Sequence, residues 1–386
     1  MISTSGSQMS SLALPWFVLV STGSAKQMGF VLAASVGGYA LFGIPSGSVL
    51  ATLGSRRTML IADAARAPLT ALIPALHWLD ALSLGALVAI AFVLGALATP
   101  YIAAQRIIVP ELLGEEAEPV ARANALLQGA TRVSMLGGPA LAGVLIGLMG
   151  APAVLVVDAA TFVTAFVLVL ALVPPRGERP VSSEEEPAGL LRGIRYLARD
   201  RLLRAWTTAF VIGDASFQVI FAAIPVLVVR HYDANPRLAG ILFACWGLGA
   251  VVGNVVSYRL GARGRGLGFV ALASPLQALP LWLLTLPVPA WAPAAGLVAS
   301  GLSNGLLNPT IHSLYTLRPP PALRPNVMTA STTASVSVAP LALLGAAPLF
   351  AVWGARPVLA LAVAGQTLAV LLISAGAIAE TRAVST

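Results

Sequence analysis

One carboxylate stands alone in the second half of this chain. Asp214 lies about eleven residues into an apolar run at 203–229, and no basic residue falls within a helical turn of it along the chain. Burial disfavours the charged form of a carboxyl, so such a group can load and release a proton as its access to water changes. It fits equally a permanently protonated or hydrogen-bonded structural acid. Two further charges interrupt the runs at 123–149 and 152–173: Arg132 and Asp158. They sit roughly ten and six residues into their runs, from opposite faces. At about 1.5 Å per residue their depths differ by several ångströms, so an ion pair is expected, either a structural clasp or part of proton coupling. A fourth set is Ser300, Asn304, Asn308 and His312, four residues apart each time. On a helix that spacing keeps them on one broad side. They either bind a ligand in a wet cavity or hydrogen-bond between helices.

Other chemistries are absent from the pattern. Lys26 is the only lysine and no Gly-x-x-x-x-Gly-Lys-Ser/Thr occurs, so the chain has no phosphate loop of that kind. His77, His231 and His312 are far apart and Cys245 is the single cysteine, which gives no metal signature and no intrachain disulfide. No serine or cysteine has a plausible nucleophile constellation. The reading is no enzyme, no cofactor and no metal.

These side chains must be positioned by something other than a water-soluble core. The chain has 386 residues, is 58% hydrophobic and 10% charged, and has mean hydropathy +0.87. Soluble domains carry roughly 25% charged residues. The net charge of +8 does not indicate nucleic acid, because the basic residues sit in short loops between apolar runs. A span needs about 20 mostly apolar residues. Such runs occur near 2–21, 28–51, 59–79, 82–104, 123–149, 152–173, 203–229, 237–260, 267–286, 291–316, 327–352 and 357–379. The expected fold is an all-α membrane protein of twelve transmembrane helices in two six-helix bundles. Residues 1–173 form one half, 174–202 a charged cytoplasmic linker and 203–386 the other half. Within the linker, Gly189 to Arg201 is expected to form a basic amphipathic helix on the inner leaflet. The acidic run Glu184 to Glu186 reads as a solvated stretch.

Arginine placement predicts orientation. With both termini inside, seventeen basic residues fall on the inner side and four on the outer: Lys26, Arg230, Arg237 and Arg356. The first run starts at Met1 with no basic flank and holds Ser3, Ser5, Ser7, Ser10 and Ser11. It lacks the charged start of a signal peptide and is expected to be a first span whose cytoplasmic start is missing or very short.

The halves repeat. Pro100-Tyr101-Ile102 with Pro110 corresponds to Pro309-Thr310-Ile311 with Pro319. Arg122-Ala123-Asn124, Gly138-Pro139 and Gly150-Ala151 correspond to Arg324-Pro325-Asn326, Ala339-Pro340 and Gly354-Ala355. Six spans is an even number, so the two copies point the same way. A parallel six-span repeat is one way transporters are built.

With these residues in place, the chain resembles the major facilitator superfamily over its whole length. Gly47 to Arg57, with Gly54, Arg56 and Arg57, is similar to that family's loop motif between spans two and three. Ala51 stands where the usual acid would be, with Asp63 and Arg66 as expected substitutes in the charge latch. Ser134, Gly138-Pro139 and Gly143 resemble the span-five motif of its proton-driven exporters. The plainer reading of these small residues is close helix packing in lipid, and the two are compatible. Ala13-Leu14-Pro15-Trp16 and Ala123-Asn124-Ala125-Leu126 resemble the branch with macrolide and siderophore exporters. The resemblance implies alternating access and proton antiport, with spans one, four, seven and ten lining the cavity. Gln8, Tyr101, Asp214, Phe217, Gln218 and Phe221 would then join the span-ten stripe. The expected protein is a monomeric exporter of the bacterial inner membrane, moving an amphipathic drug, macrolide or siderophore against protons. An uptake permease of the same fold and a membrane sensor that does not transport are the rival readings. The expected partners are a small-molecule substrate, protons and the lipid bilayer, with no nucleic acid.

Overall fold

A computed structural model of the chain describes residues 2–43, 46–113, 117–174, 187–260 and 266–385. Helices hold almost all of them, and no strand occurs among them. In order they are α1 (Ile2–Thr22), α2 (Ala25–Leu41), α3 (Ser46–Trp78), α4 (Leu84–Leu113), α5 (Ala117–Met149), α6 (Ala151–Leu172), α7 (Pro187–Arg199), α8 (Arg201–His231), α9 (Pro236–Leu260), α10 (Leu267–Ala273), α11 (Pro275–Ala278), α12 (Trp291–Leu317), α13 (Arg324–Trp353) and α14 (Ala355–Ser385). Among the described residues, nine stretches are long and apolar enough to cross a membrane. The serine-bearing α1, the 17-residue α2 and α12 fall outside that set. Side chains such as Leu148, Leu172, Leu272 and Val352 are more than half exposed. Apolar surface of that extent, on helices whose backbone polar groups are satisfied internally, suits lipid.

Local chemistry explains the departures from continuous runs. The run at 28–51 does not stay one helix: α2 ends at Leu41, and the chain resumes at Ser46. Helix α3 is two helical pieces joined at Gly54, whose φ of 71° and ψ of 162° are open to a residue without Cβ. The run at 267–286 breaks into α10, α11 and a 3-10 stretch, Leu279–Leu284, with Pro275 and Pro280 at the breaks. Proline lacks the amide hydrogen that would continue an α-helix. Gly150 (φ 84°) and Gly354 (φ 79°) make the sharp joins before α6 and α14, so one turn is built twice at matching places in the repeat. The linker helix appears as α7. The other part of the linker, residues 175–186, including Glu184 to Glu186, lies outside the described residues.

The chain forms two compact units. Unit 1 is Met1–Glu184 with Asn235–Gly240, and unit 2 is Glu185–Ala234 with Ile241–Thr386. In unit 1, α3 packs on α4 and α6, and α1 on α5 and α6. Leu50, Met59, Tyr101 and Ile108 form part of its buried core. In unit 2, α8 packs on α14 and α13, and α7 on α13. Trp206 is fully buried there, and its indole N–H donates to the Ile373 carbonyl at 3.2 Å.

Close backbone contact sets the helix spacing in both units. A Cβ at Gly38 or Gly95 would run into the facing backbone of α4 or α2. In unit 2, Gly249 and Gly253 of α9 face α12, and Gly301 and Gly305 of α12 face α9, again backbone to backbone. Each helix thus carries a Gly-x-x-x-Gly face, the spacing that lets membrane helices approach. The spacing is visible in the sequence at 249–253 and 301–305.

Candidate functional site

Unit 1 encloses a cluster of charges. Asp63 and Arg66 are one turn apart on α3, and Asp158 faces them from α6. Their relative exposures are 0%, 8% and 2%, so all three are withdrawn from solvent. The Arg66 guanidinium lies 4.1 Å from the centroid of Phe162 and 5.6 Å from that of Tyr101, positions that favour a cation over a ring face. Its Nη2 donates to Ser7 Oγ at 2.9 Å, and it interacts electrostatically with both Asp158 and Asp63. Asp158 accepts hydrogen bonds from the Ser10 hydroxyl and, at 3.3 Å, from Thr161. Asp63 has no such support: among the described residues neither carboxyl oxygen has a hydrogen-bond partner.

Helix α1 supplies the hydroxyls. Ser3 bonds Tyr101 Oη at 2.9 Å, Ser7 meets Arg66, and Ser10 meets Asp158. Positions 3, 7 and 10 share a helix face, so the serines that weaken α1 as an apolar run form a polar lane against α3, α4 and α6. Gly6 lets that lane approach, because a Cβ there would strike Thr161 and Asp158.

This geometry corrects two expectations. No ion pair joins Arg132 to Asp158 among the described residues; Arg132 is exposed on α5, and the cation beside Asp158 is Arg66. Equal depth along two helices does not put two side chains on facing sides. Nor do Asp63 and Arg66 substitute in the loop latch, since they lie inside the unit beyond the Gly54 kink. At the loop itself Ser55 donates to Glu111 at 2.9 Å. Arg56 donates to the carbonyls of Val173 (2.7 Å) and Leu170 (3.1 Å) at the end of α6, where a helix presents its negative pole.

The span-five motif packs in the plain sense. Gly138 sits against the backbone of α1 at Gln8 and Met9, and Ser134 bonds Ser5 at 2.7 Å. Gln8 therefore lies at a helix crossing.

Unit 2 holds a different arrangement. Asp214 is not isolated: it is exposed, hydrogen-bonds Ser335 of α13 and interacts with His312 of α12. The neighbouring imidazole comes from another helix, which proximity along α8 could not reveal. The His312 ring stacks on Phe210 at 6.3 Å. The polar stripe of α12 divides in use. Ser300 is buried and donates to the Gln277 carbonyl at 2.7 Å, whereas Asn308 donates to Asn304 at 3.0 Å along the helix. Beside this set Phe217 and Phe221, 4.3 Å apart, pack on Trp246 (4.8 and 5.6 Å), and Phe221 also meets Phe243 at 4.9 Å. The Trp246 indole N–H has no hydrogen-bond partner among the described residues. Gln218 is half-buried next to these rings in sequence. Phe243, Trp246 and Ser335 were missed in the sequence, where only aromatic spacing across α8 and α9 hinted at the first two.

Among the described residues no group of histidine, cysteine and carboxylate side chains is arranged to hold a metal ion. The sequence profile of the Major Facilitator Superfamily matches residues 1–343. The chain belongs to the major facilitator superfamily. It is a multi-pass membrane transporter and not an enzyme. The protein named multidrug efflux pump Tap from Mycobacterium tuberculosis is 23% identical to this superfamily member over 366 residues, covering 90% of this chain and 84% of its own. The protein of the same name from Mycolicibacterium fortuitum is 23% identical over 354 residues, covering 89% and 85%. Among solved structures, the nucleoside transporter NupG superposes with TM-score 0.73 at 11% identity, covering 97% of this chain and 96% of its own. A POT family transporter in complex with a thioalcohol-conjugated peptide gives 0.74 at 12% identity, covering 100% and 95%. At such identities these two establish the fold alone.

Proposed function

We propose that this transporter exports an amphipathic organic molecule, of drug, macrolide or siderophore type, in exchange for protons by alternating access. The full-length similarity to two proteins named as multidrug efflux pumps carries the direction. Unit 2 carries the substrate class: four packed aromatic rings, a free indole N–H and an exposed acid beside a histidine suit a flat or cationic amphiphile. Asp214, Phe217, Phe221 and Trp246 are proposed to contact it, with Asn304, Asn308 and His312 as polar partners. The protein sits in the bacterial inner membrane as twelve spans in two parallel six-helix repeats, with both termini in the cytoplasm and no obligate partner chain.

The competing reading, uptake by the same fold, draws on the similarity to a nucleoside transporter, since architecture does not fix direction. Expression in a bacterium stripped of its own efflux pumps separates them. Export predicts lower accumulation of a macrolide, restored by a protonophore. Higher accumulation on expression would point to uptake.

A further inference from the structure

We propose that Asp63, Arg66 and Asp158 form a one-proton site inside unit 1, in which Asp63 carries the proton exchanged for substrate and Arg66 balances Asp158. The role in exchange rests on the antiport reading above; the protonation does not.

Two carboxyls and one guanidinium, all at least nine-tenths buried, are neutral together only with one proton bound. Excess charge in such a place is costly, and burial is met by neutralisation. The hydrogen bonds decide which acid takes the proton. Donors to a carboxylate favour its charged form. Asp158 has the Ser10 hydroxyl, with a weaker second contact from Thr161 at 3.3 Å, while Asp63 has none on either oxygen among the described residues. The proton therefore resides on Asp63. Among the described residues nothing else nearby can take that role. Helix α4 contributes Tyr101, already bonded to Ser3, and α6 contributes Asp158; the described part of α1 contributes only hydroxyls. Met1 lies outside the described residues.

The polar atoms without partners point the same way. Seven buried side-chain nitrogen or oxygen atoms lack a hydrogen-bond partner among the described residues, and four of them line one face of α3: both oxygens of Asp63, Nε of Arg66 and Oγ1 of Thr70. A purely structural ion pair would not leave a second acid unsupported beside it.

Release of the proton leaves Asp63 as a carboxylate and frees one H⁺ to water. Arg66 is then drawn by two carboxylates instead of one. Its hydrogen bond to Ser7 ties that shift to α1, so occupancy of Asp63 biases how α1 sits on α3 and α6.

Infrared difference spectra of the purified full-length protein read the site without any substrate. The expected result is a protonated-carboxyl band that disappears as pH rises, is lost in Asp63→Asn, returns in Asp63→Glu and persists in Asp214→Asn. Asp63→Asn resembles the protonated acid and should fold; its elution profile in detergent checks this, and Asp63→Glu keeps the test alive if it does not. In proteoliposomes, Asp63→Asn should retain tetraphenylphosphonium counterflow and lose pH-driven accumulation. A band unchanged in Asp63→Asn overturns the assignment. A lost band with pH-driven accumulation intact overturns the role in exchange. If the wild type shows the band but no pH-driven accumulation of any probe, the antiport reading fails and that role fails with it, while the protonation stands.

Discussion

Replacing Gly301 with alanine sets two effects of known sign against each other. Alanine is the better helix former, by about 0.5–1 kcal/mol over an interior glycine. At Gly301 the new methyl would overlap the Trp246 carbonyl oxygen and lie 2.9 Å from the Ala250 amide nitrogen. Both are backbone atoms of α9, so α9 and α12 would have to separate. Overpacking of this kind typically costs about 1–3 kcal/mol. The net expectation is a loss of about 1–2 kcal/mol. Gly345 of α13 is the control, because nothing lies within 4 Å of its Cβ position; there alanine should gain about 0.5–1 kcal/mol. Thermal unfolding in detergent, followed by size-exclusion fluorescence, should move the two midpoints in opposite directions. If Gly301→Ala is as stable as wild type, or Gly345→Ala falls equally, the backbone contact does not set the spacing of these helices.

Arg318 donates to Asp200 at 2.6 Å and to Glu380 at 2.8 Å, while Asp200 also caps α8 at Leu203. Burial opposes the Arg318 charge, but these two acids outweigh it and hold its pKa above the usual value. Arg318→Gln should cost about 1 kcal/mol in low salt and less in high salt; a loss independent of salt would mean packing, not charge, is involved. Trp246→Ala should weaken tetraphenylphosphonium binding several-fold, from a contact of about 1 kcal/mol, and Trp246→Phe much less. Equal binding by all three proteins in equilibrium dialysis would remove the aromatic cluster from the substrate site. In a Cys245→Ser background, a cysteine at Ala198 of α7 should react in intact cells only with membrane-permeant thiol reagents; modification by an impermeant one would invert the topology.

Much of the architecture was legible because it depends on coarse quantities. Run length and hydropathy locate α1, α6, α8, α9, α12 and α13 to within a few residues at both ends, and the Gly150 and Gly354 joins follow from a repeated Gly-Ala step after a long run. The cluster in unit 1 was not legible for a geometric reason. Depth along α5 and α6 suggested Arg132 for Asp158, but depth carries no information about azimuth, and Arg132 is exposed while Asp158 is buried. The better signal was on other helices: Asp63 and Arg66 one turn apart, opposite serines at 3, 7 and 10. Asp214 reads as isolated along its own helix, whereas His312 and Ser335 arrive from α12 and α13. The Gly-x-x-x-Gly faces were present as plain spacing, yet only the packing of α9 on α12 shows that both helices use them.

The account stands or falls on the sign of the coupling. Purified protein in proteoliposomes is given an acid interior, with membrane potential clamped by potassium and valinomycin, and radiolabelled tetraphenylphosphonium or a macrolide is added outside. Tetraphenylphosphonium carries a permanent charge and is not trapped by acid, so its accumulation must come from the protein. Proton antiport predicts accumulation inside as protons leave, loss of that drive in Asp63→Asn, and none with an acid exterior. Accumulation only when the exterior is acid would mean that substrate and proton travel together, and would contradict the account.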